Sequence, residues 1–391
     1  MIDRGDTTPV PDVEALFALG GGRVSRGLER LQLARGARLH AGRVAVLLAS
    51  LTWLPLLVLA AIEGVAWGGA VHVPLVRDFL PYGQLLIAVP VLVLGELTVG
   101  RYLVRAVTEL RTSEVLDSED APILDMVLAK TVQRWRGRNV DLVLLILTCA
   151  ATVVSLWGAK EWLTGGWQVA GDGMTLAGWW YLLVSLPVMR FLALRWLWRL
   201  LLWAWVLWRV SRLELNPRPA HPDRAGGLAF LGGTQAAFGV LVFAFGVQLS
   251  CLIADAVHFR GAELMAFRGE LVAFVVIAVG ALLLPLLVFA PKLVRTREDY
   301  LLFLSGSAHR GAGDLARKLR SSEAGELPAD AVSGLTDFGV IYENTRLMKP
   351  VPMEMQHVLG LVLAAVLPFL PLVFLVMPAR EVLRTLVRLL V

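Results

Sequence analysis

Three ionisable side chains, Glu63, Glu96 and Arg190, lie inside long apolar stretches of the chain. An ionised side chain at the centre of a bilayer costs about 2.5 to 3.5 kcal/mol, even on scales derived from membrane insertion. Such residues are retained mainly where they pair, line a water-filled cavity or help to move ions or protons. These three residues are therefore the first candidates for an intramembrane charge pair or a pore.

Counting along the chain gives Glu96 and Arg190 the same depth in the membrane. Glu96 follows Tyr82, and Arg190 follows Leu176, by about 14 residues, so each lies about 21 Å from the same end of its helix at 1.5 Å per residue. This arithmetic predicts a salt bridge or a shared water-filled cavity between Glu96 and Arg190. The alternative is that each side chain extends separately to the nearer interface.

Arg195, Arg199 and Trp198 follow Arg190 on the same apolar stretch. The two arginines are four residues apart and share one helical face near several tryptophans, which predicts cation–π contacts. A positively charged inner vestibule for anions and a helix held at lipid headgroups both fit this pattern. Contact with lipid headgroups is the simpler interpretation.

The segment PAHPDRAGGL at 219–228 contains His221 and Asp223 and the glycine pair Gly226 and Gly227. Its prolines stiffen the chain, Asp223 suits a helix cap and the glycines permit a bend. The tripeptide His-Pro-Asp also marks the loop of J-domains, but the flanking apolar segments do not suit that soluble domain. A rigid turn is favoured over a hinge that gates or binds a ligand.

No nucleotide-binding, nucleophile-elbow or zinc-protease motif occurs in the sequence, so we predict no enzymatic activity and no cofactor. Asp255 with His258, and Glu354 with His357, have the three-residue spacing that places metal ligands on one helical face. The two pairs belong to opposite sides of the membrane, and we predict no metal site.

The composition requires a membrane around these residues. The chain is 57% hydrophobic and 18% charged with a mean hydropathy of +0.67, whereas soluble proteins are about 45 to 50% apolar and about 25% charged. The net charge of +5 does not indicate nucleic-acid binding, because the basic residues occur in short flanks between apolar runs.

Seven apolar segments have the length of about 20 residues that a helix needs to cross a bilayer. They are 44–66, 83–104, 140–160, 176–198, 227–254, 270–291 and 357–377. Helices are expected because backbone groups in lipid must be satisfied within their own segment. The sequence therefore predicts an all-α, polytopic helical membrane protein.

Lysine and arginine counts predict the orientation. The stretches 23–43, 101–138, 209–224 and 292–349 carry six, seven, four and nine basic residues, and the intervening connections carry one or two each. The positive-inside rule then places the N-terminus in the cytoplasm. Pro368 and Pro371 leave two possibilities for the last segment, which either crosses the membrane or turns back as a re-entrant hairpin.

Four regions follow from this reading. They are a basic cytoplasmic tail 1–43, a transmembrane domain 44–291, a cytoplasmic loop 292–349 and a C-terminal region 350–391 with the last apolar segment and an amphipathic helix. The transmembrane domain includes a helical loop at 105–139 and a long Arg- and Trp-rich helix at 176–213. Within the second loop we predict helices at 293–304 and 310–320, followed by a turn region.

Three strings, RFLALRWLWR, HPDRAGGLAFL and PFLPLVFLVMPAREVLRTL, resemble segments shared by a group of uncharacterised bacterial polytopic membrane proteins. The resemblance covers roughly the second half of the chain. It implies an address in the bacterial inner membrane and no particular activity.

The best-supported class of function is a channel or transporter for small ions, slightly favouring anions, because many spans carry charges and little soluble machinery accompanies them. The alternative is a membrane-embedded sensor or scaffold that binds partner proteins or lipids through its cytoplasmic loops. A homo-oligomer is expected in either case.

Overall fold

The structure is a computed structural model, and it confirms the all-α, polytopic class. It describes residues 37–68, 71–113, 115–117, 119–135, 138–162, 166–170, 173–321 and 329–376. Most of the predicted N-terminal tail and the predicted C-terminal amphipathic helix lie outside these residues.

Seven helical segments in the described residues are long and apolar enough to cross a bilayer, as predicted. We number them spans 1 to 7: Ala41–Ile62, Phe79–Thr112, Asn139–Trp157, Leu176–Val210, Phe230–Arg260, Leu264–Arg310 and Met355–Leu375. Spans 2 and 4 have 34 and 35 residues, or about 50 Å of helix, and so exceed a hydrocarbon core of about 30 Å.

Spans 2 and 4 share an irregularity near one end. Span 2 is built from Phe79–Pro81, the π-helix Tyr82–Ala88 and the α-helix Val89–Thr112, and span 4 from Leu176–Trp180, the π-helix Tyr181–Ser185 and Leu186–Val210. Pro90 and Pro187 come just after the two π-helical segments. Because proline has no N–H to donate to the preceding turn, the backbone widens there.

The remaining elements complete the bundle. The other helices are Ala37–Ile62, Ala121–Trp135, Arg138–Trp162, Phe230–Ala237, Gly239–Arg260, Arg268–Leu283, Ala290–Ser321, Ala329–Arg346, Met355–Val366 and Leu370–Val376. Short 3-10 turns occupy Leu75–Arg77, Leu264–Phe267, Leu284–Phe289 and Leu367–Phe369. Strands Val169–Ala170 and Gly173–Met174 pair antiparallel as a hairpin.

The two ends of the bundle are distinguished by their loops. We call the end that carries the β-hairpin the hairpin end, and the opposite end, which carries residues 211–229 (the proline loop), the proline-loop end. Span 7 runs parallel to span 5, because Gly233 lies beside His357 and, further along both spans, Gly246 lies beside Pro368. The prolines of span 7 produce a 3-10 turn inside a continuous helical segment, so the re-entrant hairpin is wrong for the described residues.

The connection between spans 6 and 7 is more helical than predicted. A single helix, Ala290–Ser321, replaces the two predicted helices 293–304 and 310–320, and the region expected to form a turn contains the helix Ala329–Arg346. The helix predicted within 105–139 is present as Ala121–Trp135. Helix Ala290–Ser321 overlaps the end of span 6 and continues past it, so the predicted boundary at residue 292 is not a break in secondary structure.

The hydrophobic core lies mainly between spans 2, 4 and 5. Leu92, Trp196 and Phe238, one from each of these spans, are essentially inaccessible. In spans 2 and 5, 56% of the most apolar 18-residue stretch is buried inside the protein, whereas in span 6 the buried share is 11%. Spans 2, 4 and 5 thus form the interior of the bundle, and span 6 lies at its periphery.

Candidate functional site

Glu96 and Arg199 form a buried ion pair between spans 2 and 4. The Arg199 Nη2 group donates to Glu96 Oε1, and the two side chains are only 8% and 2% exposed. Arg195 lies one turn before Arg199, is equally buried, and is close enough to Glu96 to interact electrostatically with it. The site therefore brings two guanidinium groups and one carboxylate together inside the bundle.

The ion pair lies near the middle of span 2. Glu96 is 17 residues from the start of the span at Phe79, which corresponds to about 25 Å of a helix about 50 Å long. A charge at this depth is far from water unless a cavity or a partner reaches it. Arg199 supplies that partner for Glu96.

A tryptophan holds the arginine in place. The Arg199 guanidinium carbon lies 5.0 Å from the ring centroid of Trp196, which confirms the predicted cation–π contact for this pair. Trp196 Nε1 donates to the carbonyl oxygen of Leu92 at 3.0 Å, and its ring packs edge-on against Phe238. The ion pair is thus positioned by a rigid contact among spans 2, 4 and 5.

The predicted salt bridge between Glu96 and Arg190 is wrong. Arg190 Nη2 donates to Ser155 Oγ of span 3 at 2.6 Å, on a different side of span 4. The count of residues from the end of each span identified Glu96 as an interior charge but assigned it the wrong arginine. Arg190 and Arg199 are nine residues apart on one helix, so their side chains point in different directions. Only the packing of the spans decides which of them meets Glu96.

Arg195 and Arg199 are inside the bundle, so the lipid-headgroup interpretation is wrong for these two side chains. Trp198 lies between them in sequence and is half-buried. The interpretation of this region as a vestibule for anions stays a prediction.

Glu63 lies at the hairpin end, beside the start of span 4. Its carboxylate accepts hydrogen bonds from the backbone N–H groups of Leu176 at 2.8 Å and Ala177 at 3.2 Å. These are orphan donors of the first turn of span 4, and a carboxylate there also suits the positive end of the helix dipole. Glu63 therefore caps span 4, and the intramembrane ion pair of Glu96 is made with Arg199 without it. A place for Glu63 along a pore stays a prediction.

A second polar cluster connects spans 2, 4 and 5 near the hairpin end. The Tyr181 hydroxyl donates to Gln84 Oε1 at 2.6 Å, and Gln84 Nε2 donates to Gln248 Oε1 at 3.2 Å. Tyr181 and Gln84 belong to the two π-helical segments. π-Helical turns inside α-helices are frequent at functional sites.

Asp78 lies at the hairpin end of the bundle, just before span 2. Its carboxylate accepts from Trp167 Nε1 at 2.7 Å and from the backbone N–H of Leu80 at 3.0 Å. The carboxylate of Asp255, which accepts from the adjacent N–H of Phe79 at 3.1 Å, lies beside it. Burial raises the pKa of Asp78 above its ordinary value, although these hydrogen bonds work in the opposite direction.

Asp223 organises the proline loop. Its carboxylate accepts from the backbone N–H groups of Ala225 at 2.8 Å and of Gly227 and Ala229 at 3.1 Å, and it contacts His221 Nδ1 at 2.8 Å. Burial alone raises the pKa of Asp223, but the hydrogen bonds outweigh it and the pKa is lowered. The carboxylate therefore stays ionised and ties the loop to the start of span 5.

The glycines of the loop are required by its backbone. Gly226 and Gly227 have φ values of +67° and +88°, in the left-handed region that favours glycine. A Cβ on Gly227 would lie 2.8 Å from Val115, and the carbonyl oxygen of Arg224 accepts from the N–H of Lys349 at 2.7 Å. The loop is thus packed against two other connections, which fits a rigid turn; a role as a hinge stays a prediction.

The residues considered for metal binding have other contacts. Asp255 Oδ1 accepts from the N–H of Phe79 at 3.1 Å, and the His258 ring lies edge-on to Phe79. The Glu354 carboxylate accepts a hydrogen bond from Gln356. No group of three or more metal-ligating side chains occurs within the described residues.

Comparison of the chain with protein-family models, with curated proteins and with solved structures gives no match. The function must therefore be argued from the site itself.

The sequence analysis considered only ionisable side chains within the apolar segments. It therefore overlooked three glutamines in spans 2 and 5, which are Gln84, Gln235 and Gln248. Polar side chains that hydrogen-bond across helices are enriched at contacts between membrane helices. A search of each span for amide side chains, in addition to ionisable ones, would have found all three.

Proposed function

We propose that the protein is a channel or transporter for small ions, with a slight preference for anions. We also propose that it lies in the bacterial inner membrane with its N-terminus in the cytoplasm, since the basic connections alternate along the chain. In this proposal it is not an enzyme. The observation that carries the proposal is the ion pair of Glu96 and Arg199 in the interior of seven apolar spans.

A buried ion pair is poor evidence for stability alone. Removing two charges from water costs several kcal/mol each, and apolar side chains of similar volume often stabilise a protein as well or better. In membrane proteins, ionisable residues that face the interior of the bundle typically mark ion pathways and proton relays. The cost of burying Glu96, Arg195 and Arg199 is therefore better explained by ion movement than by folding.

The anion preference rests on the charges at this site. Among these three side chains, two guanidinium groups accompany one carboxylate. A positive excess in a low-dielectric interior attracts anions and repels cations. The polar cluster of Gln84, Tyr181 and Gln248 supplies further hydrogen-bonding groups between this site and the hairpin end.

The test is ion flux through purified protein in liposomes and planar bilayers under a KCl gradient. The variants are Glu96→Gln and Arg199→Gln, and the matched control is Arg190→Gln, which removes an arginine of the same span that bonds only to Ser155 among the hydrogen bonds described. We expect flux by the native protein, a changed reversal potential or a tenfold loss in the first two variants, and native behaviour in the control.

Two outcomes contradict the proposal. One is the absence of flux in the native protein across voltage, pH and membrane tension, in preparations that remain folded. The other is flux that responds equally to Arg190→Gln and Arg199→Gln, because the pair would then have no particular place on the pathway.

A second candidate function, a sensor or scaffold, is favoured by the exposed apolar side chains of the long helix. Leu302 and Phe303 are 72% and 61% exposed. They lie 38 and 39 residues after the start of span 6 at Leu264, or about 57 Å along a straight helix, which is beyond a bilayer about 30 Å thick. Exposed apolar groups outside the membrane suit a partner protein or a lipid surface.

Photo-crosslinkers at 302 and 303, compared with one at the exposed Glu298 of the same helix, test this candidate. A scaffold is expected to give a discrete partner that disappears in the double variant Leu302→Ser and Phe303→Ser. Deletion of 292–349 is not a suitable test, because Leu293 and Met348 are buried in the main core.

A further inference from the structure

Two carboxylates meet at the start of span 2. Asp78 Oδ1 accepts from the backbone N–H of Leu80 at 3.0 Å. Asp255 Oδ1, on span 5, accepts from the N–H of Phe79 at 3.1 Å. Because these N–H groups belong to consecutive residues, the two carboxylates lie side by side. Asp78 is only 7% exposed and Asp255 is half-buried, so two like charges are brought together away from most of the solvent.

Neither carboxylate has a basic partner within the described residues. No lysine, arginine or histidine of that part of the chain forms a salt bridge with Asp78 or Asp255. Two adjacent carboxyl groups without a cation resist ionising together, because each charge raises the cost of the other. Such a pair releases its protons in two separate steps, and the second proton is held to a higher pH than the first.

The titratable groups that face the pair leave this balance unchanged near neutral pH. Tyr82 of span 2, Tyr181 of span 4 and Cys251 of span 5 interact with it electrostatically, and tyrosine and cysteine are ordinarily uncharged at pH 7. From the connection before span 4, Trp167 and Gln168 donate to the pair and do not titrate. The other ionisable side chains at this end are Arg190, which bonds to Ser155, Glu63, which caps span 4, and the exposed His72, Arg77, His258, Arg260 and Glu263.

The pair lies beside a close contact between spans 2 and 5. Gly83 follows Phe79 by about one turn of span 2. Cys251 precedes Asp255 by about one turn of span 5. A Cβ on Gly83 would overlap the Sγ atom of Cys251, so the two helices touch at this point. Repulsion within the pair therefore acts directly on the packing of span 2 against span 5.

We propose that Asp78 and Asp255 share one proton and form a pH-sensitive latch at the hairpin end. With the proton, a hydrogen bond between the two carboxyl groups holds the start of span 2 against span 5. Loss of the proton to water leaves two adjacent carboxylates, and their repulsion separates the spans at this end. Burial raises the pKa of Asp78, which is the direction that favours a bound proton. The latch goes beyond the proposed function, since it acts on the packing of two spans whether or not ions cross the bundle.

The first measurement is thermal unfolding of the purified full chain in detergent between pH 5 and pH 9. A carboxyl group whose pKa is raised by folding stabilises the folded state at low pH, and this contribution is lost as the pH rises from the ordinary value of 3.8 through the folded pKa. Asp255→Asn keeps an oxygen for the Phe79 N–H and offers an amide N–H to Asp78, so it imitates the protonated pair. We expect the native Tm to fall over this range by about 2 to 4 °C more than that of Asp255→Asn.

The matched control is Glu63→Gln. Glu63 also accepts two backbone N–H groups at the hairpin end, but it is hydrogen-bonded to no second acid within the described residues. We expect this variant to keep the native pH dependence of Tm. Asp78→Asn, which removes the other member of the pair, should reduce that dependence as Asp255→Asn does.

The second measurement reads the separation of the two spans from the Cys251 thiol. The other cysteine of the chain is removed by Cys149→Ala, and labelling by a water-soluble methanethiosulfonate is followed between pH 5 and pH 9. Because thiolate formation accelerates labelling in every variant, the native rate is divided by that of Asp255→Asn at each pH. We expect a ratio near one at pH 5 that rises to about tenfold at pH 9. Removing the charge of Asp255 would by itself favour the thiolate in the variant, so an excess in the native protein reports separation.

Two results overturn the inference. One is a pH dependence of Tm and of Cys251 labelling that is the same in the native protein and in Asp255→Asn, because the pair would then hold no shared proton. The other is an Asp255→Asn protein that is less stable than the native protein at pH 9 or does not fold, because the ionised carboxylate would then stabilise the contact of spans 2 and 5.

Discussion

Two carboxylates of this protein, Asp223 and Glu96, are both held by hydrogen bonds but in opposite ways. Asp223 accepts three backbone N–H groups that lie within six residues of it. Glu96 accepts from the side chain of Arg199, which is 103 residues away in another span. The first carboxylate shapes a loop outside the spans, and the second carries charge into the apolar interior.

The difference shows which kind of buried charge the fold needs. Backbone N–H groups at the start of a helix must be satisfied, so Asp223 completes a structure that would otherwise lack acceptors. The ion pair introduces a desolvation cost of its own. Stability explains Asp223, whereas Glu96 and Arg199 are the pair on which the proposed function rests.

The largest effect is expected when the ion pair is broken on one side only. Arg199→Gln leaves the Glu96 carboxylate buried without its guanidinium, which should cost about 3 to 5 kcal/mol in the free energy of unfolding. The double variant Glu96→Gln with Arg199→Gln should lose less, because both partners of the pair are removed together and Arg195 is the one charge of the three that remains. Denaturation in mixed detergent micelles measures both, and a double variant no more stable than Arg199→Gln would contradict this account.

A smaller loss is expected for the loop carboxylate. Asp223→Ala removes the acceptor of three backbone N–H groups and should cost about 1 to 2 kcal/mol, the usual range for a helix cap. Ion flux should be retained, because the loop lies outside the spans. A loss of flux in a folded Asp223→Ala protein would mean that the loop gates the pathway and is not a rigid turn.

The same carboxylate should make stability depend on acidity. Its pKa is lowered in the folded protein, so its contribution is fully present above the ordinary value of 3.8 and is lost as the pH falls through the folded pKa. The stability difference between the native protein and Asp223→Asn should therefore be constant above pH 3.8 and shrink as the pH falls below it. A difference that grows in acid would contradict the assignment.

Gly227→Ala tests the loop backbone and should cost about 1 to 2 kcal/mol. An alanine at φ +88° is strained, and its Cβ would lie 2.8 Å from Val115. The control is Gly269→Ala in span 6, where a Cβ meets no atom within 4 Å. Equal Tm values for the two variants would show that the loop adjusts to the added methyl group without loss of stability.

The smallest effect is expected for Arg190→Gln, below about 1 kcal/mol. Arg190 is half-buried, and glutamine can still donate to Ser155. Thermal unfolding of this variant beside Arg199→Gln compares two arginines of one helix. Equal losses would remove the distinction between a paired interior charge and a peripheral one.

Much of the fold could be predicted from local features of the chain. The seven spans follow from hydropathy and length, because every backbone group in lipid must be satisfied within its own helix. The capping role of Asp223 follows from its place before span 5, since its partners are only two to six residues away. The helix Ala329–Arg346 was missed because its many glycine and polar residues resemble a turn.

The site could be predicted only in part. Glu96 was identified because a charge in an apolar run is visible without any structure. Its partner was not, because Arg190, Arg195 and Arg199 all occupy one helix at plausible depths. Gln235 was missed for a related reason, since an amide in a span is unremarkable until its burial and lack of partners are known.

The sequence by itself determined that this chain is a helical membrane protein with seven spans and charged residues within them, because hydrophobicity and chain length act over single segments. Only the tertiary structure decided that Glu96 meets Arg199, that Arg190 meets Ser155, and that Gln235 is completely buried. Those contacts depend on the rotation of each helix about its axis, which is set by the packing of whole spans around Trp196 and Phe238.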